Sequence, residues 1–274
     1  MFHDVISQSK KLFRQGGQIV DQAQATWRGH RYGNRLRQWN SVNATEGLAE
    51  APNDLWRFFQ SHQQGPGIWK WNHYFPIYER HFSRFRGREV HVLEIGIYSG
   101  GSLAMWKDYF GPRSRIYGMD IEPACKTYET DSVKVFTGDQ QDRGFWKKFR
   151  SEVNTLDIVI DDGGHLPEQQ IVSLEELLPH LRPGGVYVCE DVHGSLNAFA
   201  AYVSGLIPHL DAYGHCASNL NDLERQLTCP ASPFQSAINS IHRYPYVVVI
   251  ERTKAPVVEF VAPKHGSQWQ PFFE

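Results

Sequence analysis

Residues 90–101 read VHVLEIGIYSGG. Val90, Val92, Leu93 and Ile95 form the apolar run of a buried strand. Gly96, Gly100 and Gly101 supply a turn, and Ser102 is placed to cap a helix opening at Leu103. A strand, a glycine turn and a helix make the opening unit of a doubly wound sheet. The glycines let the backbone take φ > 0 and approach a ligand closely. Glu94, two residues before the first glycine, would repel a phosphate, and the G-x-G-x-x-G spacing of dinucleotide sites is absent. The stretch therefore predicts a ligand with a cationic or neutral group at the turn, such as the amino-acid end of S-adenosylmethionine (SAM).

From Val90 onward strands and helices alternate, the signature of a parallel sheet covered on both faces. The helix from Leu103 stops at Gly111-Pro112. Strands are predicted at Arg115–Ile121, Val133–Phe136 and Leu156–Asp161, with a helix near Arg143–Ser151 between the last two. Ile171, Leu174, Leu177, Leu178 and Leu181 share one helical face, Pro183-Gly184-Gly185 ends that helix, and Val186–Cys189 is a fifth strand. Tyr246–Glu251 and Val257–Val261 read as an antiparallel hairpin at the sheet edge. The expected fold is α/β, a Rossmann-like, mostly parallel sheet with an antiparallel C-terminal edge hairpin and a helical N-terminal extension. The expected division is an extension over 1–86 and the sheet domain over 87–274, with 194–232 as a lid over the substrate.

The extension is polar and basic at first. Lys10, Lys11, Arg14, Arg28, Arg31, Arg35 and Arg37 face only Asp4 and Asp21 over residues 1–40, which reads as a solvated face. Further on, Trp69, Trp71, Tyr74, Phe75, Tyr78, Phe82 and Phe85 crowd one segment. Phe75, Tyr78, Phe82 and Phe85 recur at helical spacing and predict a helix packed on the sheet edge. The net charge of −2 over 274 residues gives no general attraction to nucleic acid or membrane. No stretch approaches ~20 apolar residues, and the first residues lack the apolar run of a secretory signal. Cys125, Cys189, Cys216 and Cys229 are scattered without a C-x-x-C pair, so neither structural zinc nor a disulfide framework is expected, and a cytoplasmic location is.

In doubly wound sheets ligands bind at the carboxyl ends of the strands. Asp120 closes the second strand, 24 residues after Gly96, where an acceptor-only carboxylate suits ribose hydroxyls. Asp139, after Gly138 at the end of the third strand, suits an adenine amine. The candidate cofactor contacts are Glu94, Gly96, Tyr98, Ser99, Gly100, Ser102, Asp120, Asp139 and Asp161. The fourth strand ends in Asp161-Asp162-Gly163-Gly164-His165 and the fifth in Glu190-Asp191, followed by His193. Four carboxylates in one cleft raise each other's pKa unless a cation joins them. Oxygen ligands favour a hard divalent ion such as Mg2+. His165, with an ordinary pKa near 6.5, suits general-base work.

LEIGIYSGGSL, IDDGGH and EDVH together resemble the magnesium-dependent sugar O-methyltransferases of the macrocin type, over roughly Trp69 to Glu190 and onward to the edge strands. The 28-residue interval from Asp162 to Glu190 agrees with that family's metal site. The resemblance implies that Asp162, Glu190 and Asp191 bind the metal and that His165 is the base. The glycine turn with Glu94, and Asp120, would contact SAM. It implies methyl transfer from SAM to a hydroxyl of a sugar or sugar-containing small molecule. The metal chelates two neighbouring oxygens of the acceptor, and Trp69, Trp71 and Tyr74 offer stacking faces. Of His193, Gly194 and Ser195, only Ser195 matches the Ser or Thr the family often carries two to four residues after its Glu-Asp pair, and Lys70 and His73 are further candidates for the cleft. Assembly into a homo-oligomer is compatible with the basic and aromatic segments. Other readings are a catechol-like acceptor, a metal-dependent hydroxylase using Asp162, His165 and His193, a non-catalytic SAM-binding or scaffold protein, and a nicotinamide-dependent oxidoreductase. Glu94 and the missing glycine fingerprint argue against the last.

Overall fold

The computed structural model describes residues 2–35, 53–212, 217–218, 226–263 and 265–266. The chain divides into two compact units, Met1–Glu50 and Ala51–Glu274. In the first, α1 (Phe2–Arg35) is one long helix whose side chains from Ile19 to Arg35 are all exposed. The Arg31 guanidinium lies 4.7 Å from the Trp27 ring centroid, an exposed cation–π contact. Lys10, Lys11 and Arg14 lie on the helix, but their side chains, and residue Arg37, fall outside the described residues.

The second unit is built on a seven-stranded sheet. Its strands are β1 (Val90–Ile95), β2 (Ser114–Asp120), β3 (Val133–Thr137), β4 (Leu156–Asp161), β5 (Leu181–Cys189), β8 (Ile238–Tyr244) and β9 (Val247–Arg252), in the order β3-β2-β1-β4-β5-β9-β8. The first five are parallel, and β9 joins β5 antiparallel. Order reverses between β1 and β4, so the switch point, where ligands bind, lies at the end of β1.

Alternation along the strands builds a core on each face. Val92, Ile158, Val186, Val188 and Val249 pack under α2 (Asp54–Ser61), α3 (Tyr74–Phe82) and α4 (Gly101–Phe110). Leu93, Ile95, Val159, Tyr187 and Ile250 pack under α5 (Arg143–Glu152), α6 (Pro167–Leu177) and α7 (Ala198–Leu210). A small separate sheet joins β6 (Ala217–Ser218), β7 (Gln226–Pro230) and β10 (Glu259–Pro263), and α8 (Pro233–Ala237) leads into β8.

Several local expectations change. The edge hairpin exists, but β9 pairs with β8 through a tight turn at Pro245-Tyr246, while 259–263 pairs with β7. The sequence hides β8 because INSIHRY carries one buried residue in seven. Pro183-Gly184-Gly185 lies inside β5, which starts at Leu181. A register shift between Leu156 and Ile158 absorbs the irregularity, and α6 has already ended at Leu177. Ser102 does not cap α4. Gly100 holds the cap position in the left-handed region, and the Ser102 hydroxyl donates to Glu94 instead. Cys125 and Cys189 are free and buried, whereas Cys229 is disulfide-bonded, contrary to the expectation of no bridge.

The aromatic helix appears as α3 but stops at Phe82, and Phe85 falls in the 3-10 turn 83–85 that follows. Tyr74, Phe75, Ile77, Tyr78, His81 and Phe82 are buried. Tyr78 stacks on Phe82 and meets Trp106 of α4 edge-on at 5.1 Å. The far end of α3 is tied to the sheet edge. His81 Nδ1 lies 2.8 Å from Glu251 Oε1, and Arg84 donates to the same oxygen at 3.0 Å and to the Gly184 carbonyl. His242 joins His81 and Glu251 in one cluster, which no spacing in the sequence announces. His81 and Arg84 hold the Glu251 carboxyl down at about 2. An acid depressed in the folded state adds stability above its unfolded pKa and loses it as pH falls toward the folded value. Glu251→Gln is therefore expected to cost about 1–3 kcal/mol at pH 6. Urea denaturation from pH 6 down to 3 should show the gap to wild type narrowing below about pH 4.5. A gap that stays constant with pH contradicts the assignment.

Candidate active site

The C-terminal ends of β1, β2, β3, β4 and β5 open into one cavity of about 640 Å³. Its floor is the glycine turn. Gly96 has φ +80°, and its N–H donates to the Met119 carbonyl. A Cβ there would sit 2.1 Å from the Asp162 carbonyl oxygen, so only glycine lets the β1 turn and the β4 loop pass each other. Tyr98, Ser99 and Ser102 line the cavity with Gly96, as do Asp120 and Asp139. Gly100 is not in the lining. It carries φ +74° against the Tyr128 ring, where a Cβ would lie 2.5 Å from the ring carbon. One Asp120 oxygen accepts from the Tyr98 N–H and the other from the Glu122 N–H, which fixes the carboxylate at the rim.

Two candidate cofactor residues lie behind the wall rather than in it. Glu94 is fully buried and outside the lining. Its Oε2 accepts from Ser102 Oγ at 2.6 Å, and its Oε1 lies 3.3 Å from Lys70 Nζ. Burial pushes its carboxyl up, with Lys70 and Ser102 opposing. Asp161 is also buried. Tyr187 donates to one of its oxygens at 2.7 Å and Gln140 to the other at 2.8 Å. Burial raises it to about 6 despite those bonds. The side chain of Gln140 accepts from the Gly164 N–H, so Asp161 and Gln140 together shape the loop that carries His165.

The acids converge as the strand ends predict, but their oxygens are unequally occupied. Lys70, in the segment leading into α3, places Nζ 2.6 Å from Asp162 Oδ2 and 3.0 Å from Glu190 Oε2. Tyr78 donates to Glu190 Oε1 at 2.6 Å. Tyr74 donates to Asp191 Oδ1 at 2.6 Å and Trp71 to the same oxygen at 3.1 Å. Burial pushes the Glu190 carboxyl up, the opposing pull of Lys70 and Tyr78 notwithstanding. Burial alone would lower the Lys70 ammonium, but the surrounding carboxylates raise it well above its usual value. His165 stands at the cavity side, its Nε2 4.0 Å from Asp162 Oδ1 and 3.7 Å from Asp191 Oδ2. His193 Nε2 lies 3.6 Å from Asp191 Oδ1, and its ring packs on Tyr246. His73 turns away, to the Pro245 carbonyl.

A divalent ion is testable against this donor set. Asp162 Oδ1 and Asp191 Oδ2 accept no hydrogen bond among the described residues. Asp162, His165 and Asp191 offer one ligand atom each, all within 4.8 Å of one another. Two free carboxylate oxygens beside an imidazole on an open cavity fit a hard or borderline cation. Each Glu190 oxygen already accepts one hydrogen bond, from Tyr78 and from Lys70, and the residue still lines the cavity.

Residues 93–192 match the family model described as a methyltransferase domain. The strand order and the site at the β1 switch point agree with it. Residues 93–192 form a methyltransferase domain. The chain is 34% identical to 8-demethyl-8-(2-methoxy-alpha-L-rhamnosyl)-tetracenomycin-C 3'-O-methyltransferase of Streptomyces olivaceus over 229 residues, 78% of the chain and 58% of the relative. It is 45% identical to demethylmacrocin O-methyltransferase of Streptomyces fradiae over 133 residues, 45% of the chain and 33% of the relative. Among solved structures, the methyltransferase MycE of the mycinamycin biosynthetic pathway, in complex with Mg and SAH, superposes with a TM-score of 0.60 at 29% identity. That match covers 74% of this chain and 55% of the other. The chain thus spans between a third and about three fifths of the length of these relatives.

The sequence named the acids but not their partners. The sequence offers Lys70 only as a further candidate for the cleft, and it presents Tyr74, Tyr78 and Trp71 as core or stacking aromatics. Their spacing is helical, and only the fold shows that each carries a donor to a strand-end carboxylate. The partners differ in what they protect. Tyr78→Phe leaves a buried Glu190 oxygen without its donor and is expected to cost about 1–3 kcal/mol. Tyr74→Phe leaves Asp191 with Trp71 and is expected to cost less. Chemical denaturation of the two variants checks the ranking, and equal or reversed losses contradict it.

Proposed function

We propose that this methyltransferase moves a methyl group from SAM to a hydroxyl of a sugar or sugar-containing small molecule, with the help of a divalent cation. The observation that carries the reading is the two-sided cavity. The glycine turn, Asp120 and Asp139 line one side, and Asp162, Asp191 and His165 line the other. The curated relatives support it: they are named as O-methyltransferases, and three of the names carry a rhamnosyl or olivosyl group in the substrate.

In this reading the turn from Gly96 to Ser99 receives the amino-acid end of SAM, Asp120 the ribose and Asp139 the adenine. The bound cofactor supplies an electrophilic methyl group, and the bound cation, as a Lewis acid, lowers the pKa of the acceptor hydroxyl. Asp162, Glu190 and Asp191 would hold the cation, with His165 beside them. His165 accepts the hydroxyl proton at Nε2, held in place by backbone at φ +57°. Placement of the two reactants is worth about 7 kcal/mol of the barrier. Trp69, Tyr98, Leu166 and Leu196 stand exposed, and the first three lie at or beside the cavity rim, where sugar rings and apolar appendages can rest. The proposal takes residues 194–232 as the acceptor lid. Helix α7 lies in it, and 213–216 and 219–225 fall outside the described residues. No helix among the described residues is long and apolar enough to cross a membrane. A cytoplasmic setting and a homo-oligomer belong to the same proposal.

The test is transfer of labelled methyl from SAM to a panel of methyl rhamnosides and other simple glycosides, with dihydroxybenzoate as a catechol arm. Product on a glycoside but not on the catechol supports the reading, and the reverse replaces the acceptor class. Asp162→Asn and His165→Ala are expected to lower transfer at least ~100-fold. Both should still bind S-adenosylhomocysteine within about threefold of wild type. Loss of that binding in folded Asp162→Asn contradicts the separation of cofactor side from metal side.

A further inference from the structure

The loop after β4 carries two glycines in Asp162-Gly163-Gly164-His165, and neither takes positive φ. Glycine is needed there for space. A Cβ on Gly163 would meet Gln140 Oε1 at 2.1 Å, and one on Gly164 would meet Gln169 Oε1 at 2.1 Å. Each of these glutamine oxygens accepts from a backbone N–H next to His165, Gln140 from Gly164 at 2.9 Å and Gln169 from Leu166 at 3.4 Å. Between the two bonds His165 is held at φ +57°, a conformation that persists when its surroundings fix it.

Gln140 is the firmer of the two. It is 5% exposed, and its Nε2 donates to Asp161 Oδ1 at 2.8 Å and to Ser173 Oγ at 2.9 Å. Ser173 gives its own proton to the Gln169 carbonyl, and Tyr187 donates to the other Asp161 oxygen. Both partners are therefore acceptors toward Gln140, and its amide has one orientation, oxygen toward Gly164. The Trp146 indole fixes the Gln140 carbonyl at 2.8 Å. Gln140 directly follows Asp139 at the end of β3, and both line the cavity.

We propose that Gln140 is a positioning residue for methyl transfer, and that its side chain sets where His165 stands from the cofactor side of the cavity. The line of contacts runs from Tyr187 through Asp161 and Gln140 to Gly164. Asp161, behind the wall, is the anchor of this amide. The two glycines before His165 make room for the glutamines that hold it. The inference rests on His165 as the base of the proposed function.

The test is transfer of labelled methyl from SAM to methyl α-L-rhamnoside by the full chain with Mg2+. Gln140→Met is expected to lower kcat ~10–100-fold, with KM for SAM and S-adenosylhomocysteine binding within about threefold of wild type. Gln140→Met/His165→Ala should match the kcat of His165→Ala alone within about threefold, since no base is left to position. Losses that multiply overturn the proposal. So does a raised KM for SAM with kcat unchanged, which makes Gln140 a cofactor contact. If Gln140→Met does not fold, Gly163→Ala replaces it, because the added methyl displaces the Gln140 amide while keeping its groups. The same match with His165→Ala is then expected. Hydrogen exchange followed by NMR gives a readout that needs no acceptor. Gln140→Met, or its replacement, should exchange the Gly164 amide at least ~10-fold faster than wild type, with the β1 amides unchanged. Unchanged exchange at Gly164 overturns this inference alone. Faster exchange there, with no transfer to any glycoside by wild type, fails the proposed function and leaves the Gln140 contact supported.

Discussion

The burial of the Lys70 ammonium among Glu94, Asp162 and Glu190 is the constraint on which the rest of the site depends. Each of those acids ends or nearly ends a different parallel strand, and like charges brought that close raise one another's pKa. Without a cation, the ends of β1, β4 and β5 would repel, and the cleft would relax or take up protons. Breaking a buried pair by removing one partner leaves an uncompensated charge, which is far more damaging than the pair is stabilising. Lys70 also ties the segment before α3 across the top of the sheet, and Tyr74 and Tyr78 follow it as further donors to Asp191 and Glu190. The helix that looked like a sheet-edge cover is therefore part of the site. Its other end is secured by Glu251 through His81 and Arg84.

The backbone carries strain where the chemistry would occur. Tyr98, His165 and Asp191 are non-glycine residues in the left-handed region, with φ of 44°, 57° and 53°. Such residues cost of order 1–3 kcal/mol each and persist when their surroundings over-determine them. Here the surroundings are visible. Asp120 takes the Tyr98 N–H, Gln140 takes the Gly164 N–H next to His165, and Tyr74, Trp71 and His193 surround the Asp191 carboxylate. The result is a cavity whose Asp162, Asp191 and His165 are held in place by hydrogen bonds and close contacts with neighbouring lining residues.

Much of this was legible in the sequence. The run from Val90 to Gly101 gave strand, turn and helix, and with the alternation after it the doubly wound sheet and the side on which the cavity lies. The paired acids after β4 and β5 were legible because strand ends at a switch point have a known destination. Hydrogen-bond partners were not. Glu94 and Asp161 read as cofactor contacts because their positions are right, yet their carboxylates are spent on Ser102, Lys70, Tyr187 and Gln140. Position along a strand fixes which end a residue occupies, whereas which way it faces and what it meets depend on neighbours distant in sequence. Lys70 lies 92 residues from Asp162 and 120 from Glu190. For the same reason β8 was invisible, since its one-sided burial against β9 leaves little apolar pattern.

The central claim is that the cavity over the glycine turn is a SAM site that stands apart from the cation site beside it. Isothermal titration of S-adenosylhomocysteine and of NAD into the purified chain, each with Mg2+ and with EDTA, tests it most directly. The account predicts micromolar binding of S-adenosylhomocysteine that survives EDTA, and no binding of NAD. Folded protein that binds neither S-adenosylhomocysteine nor SAM, or that binds NAD in their place, would contradict it.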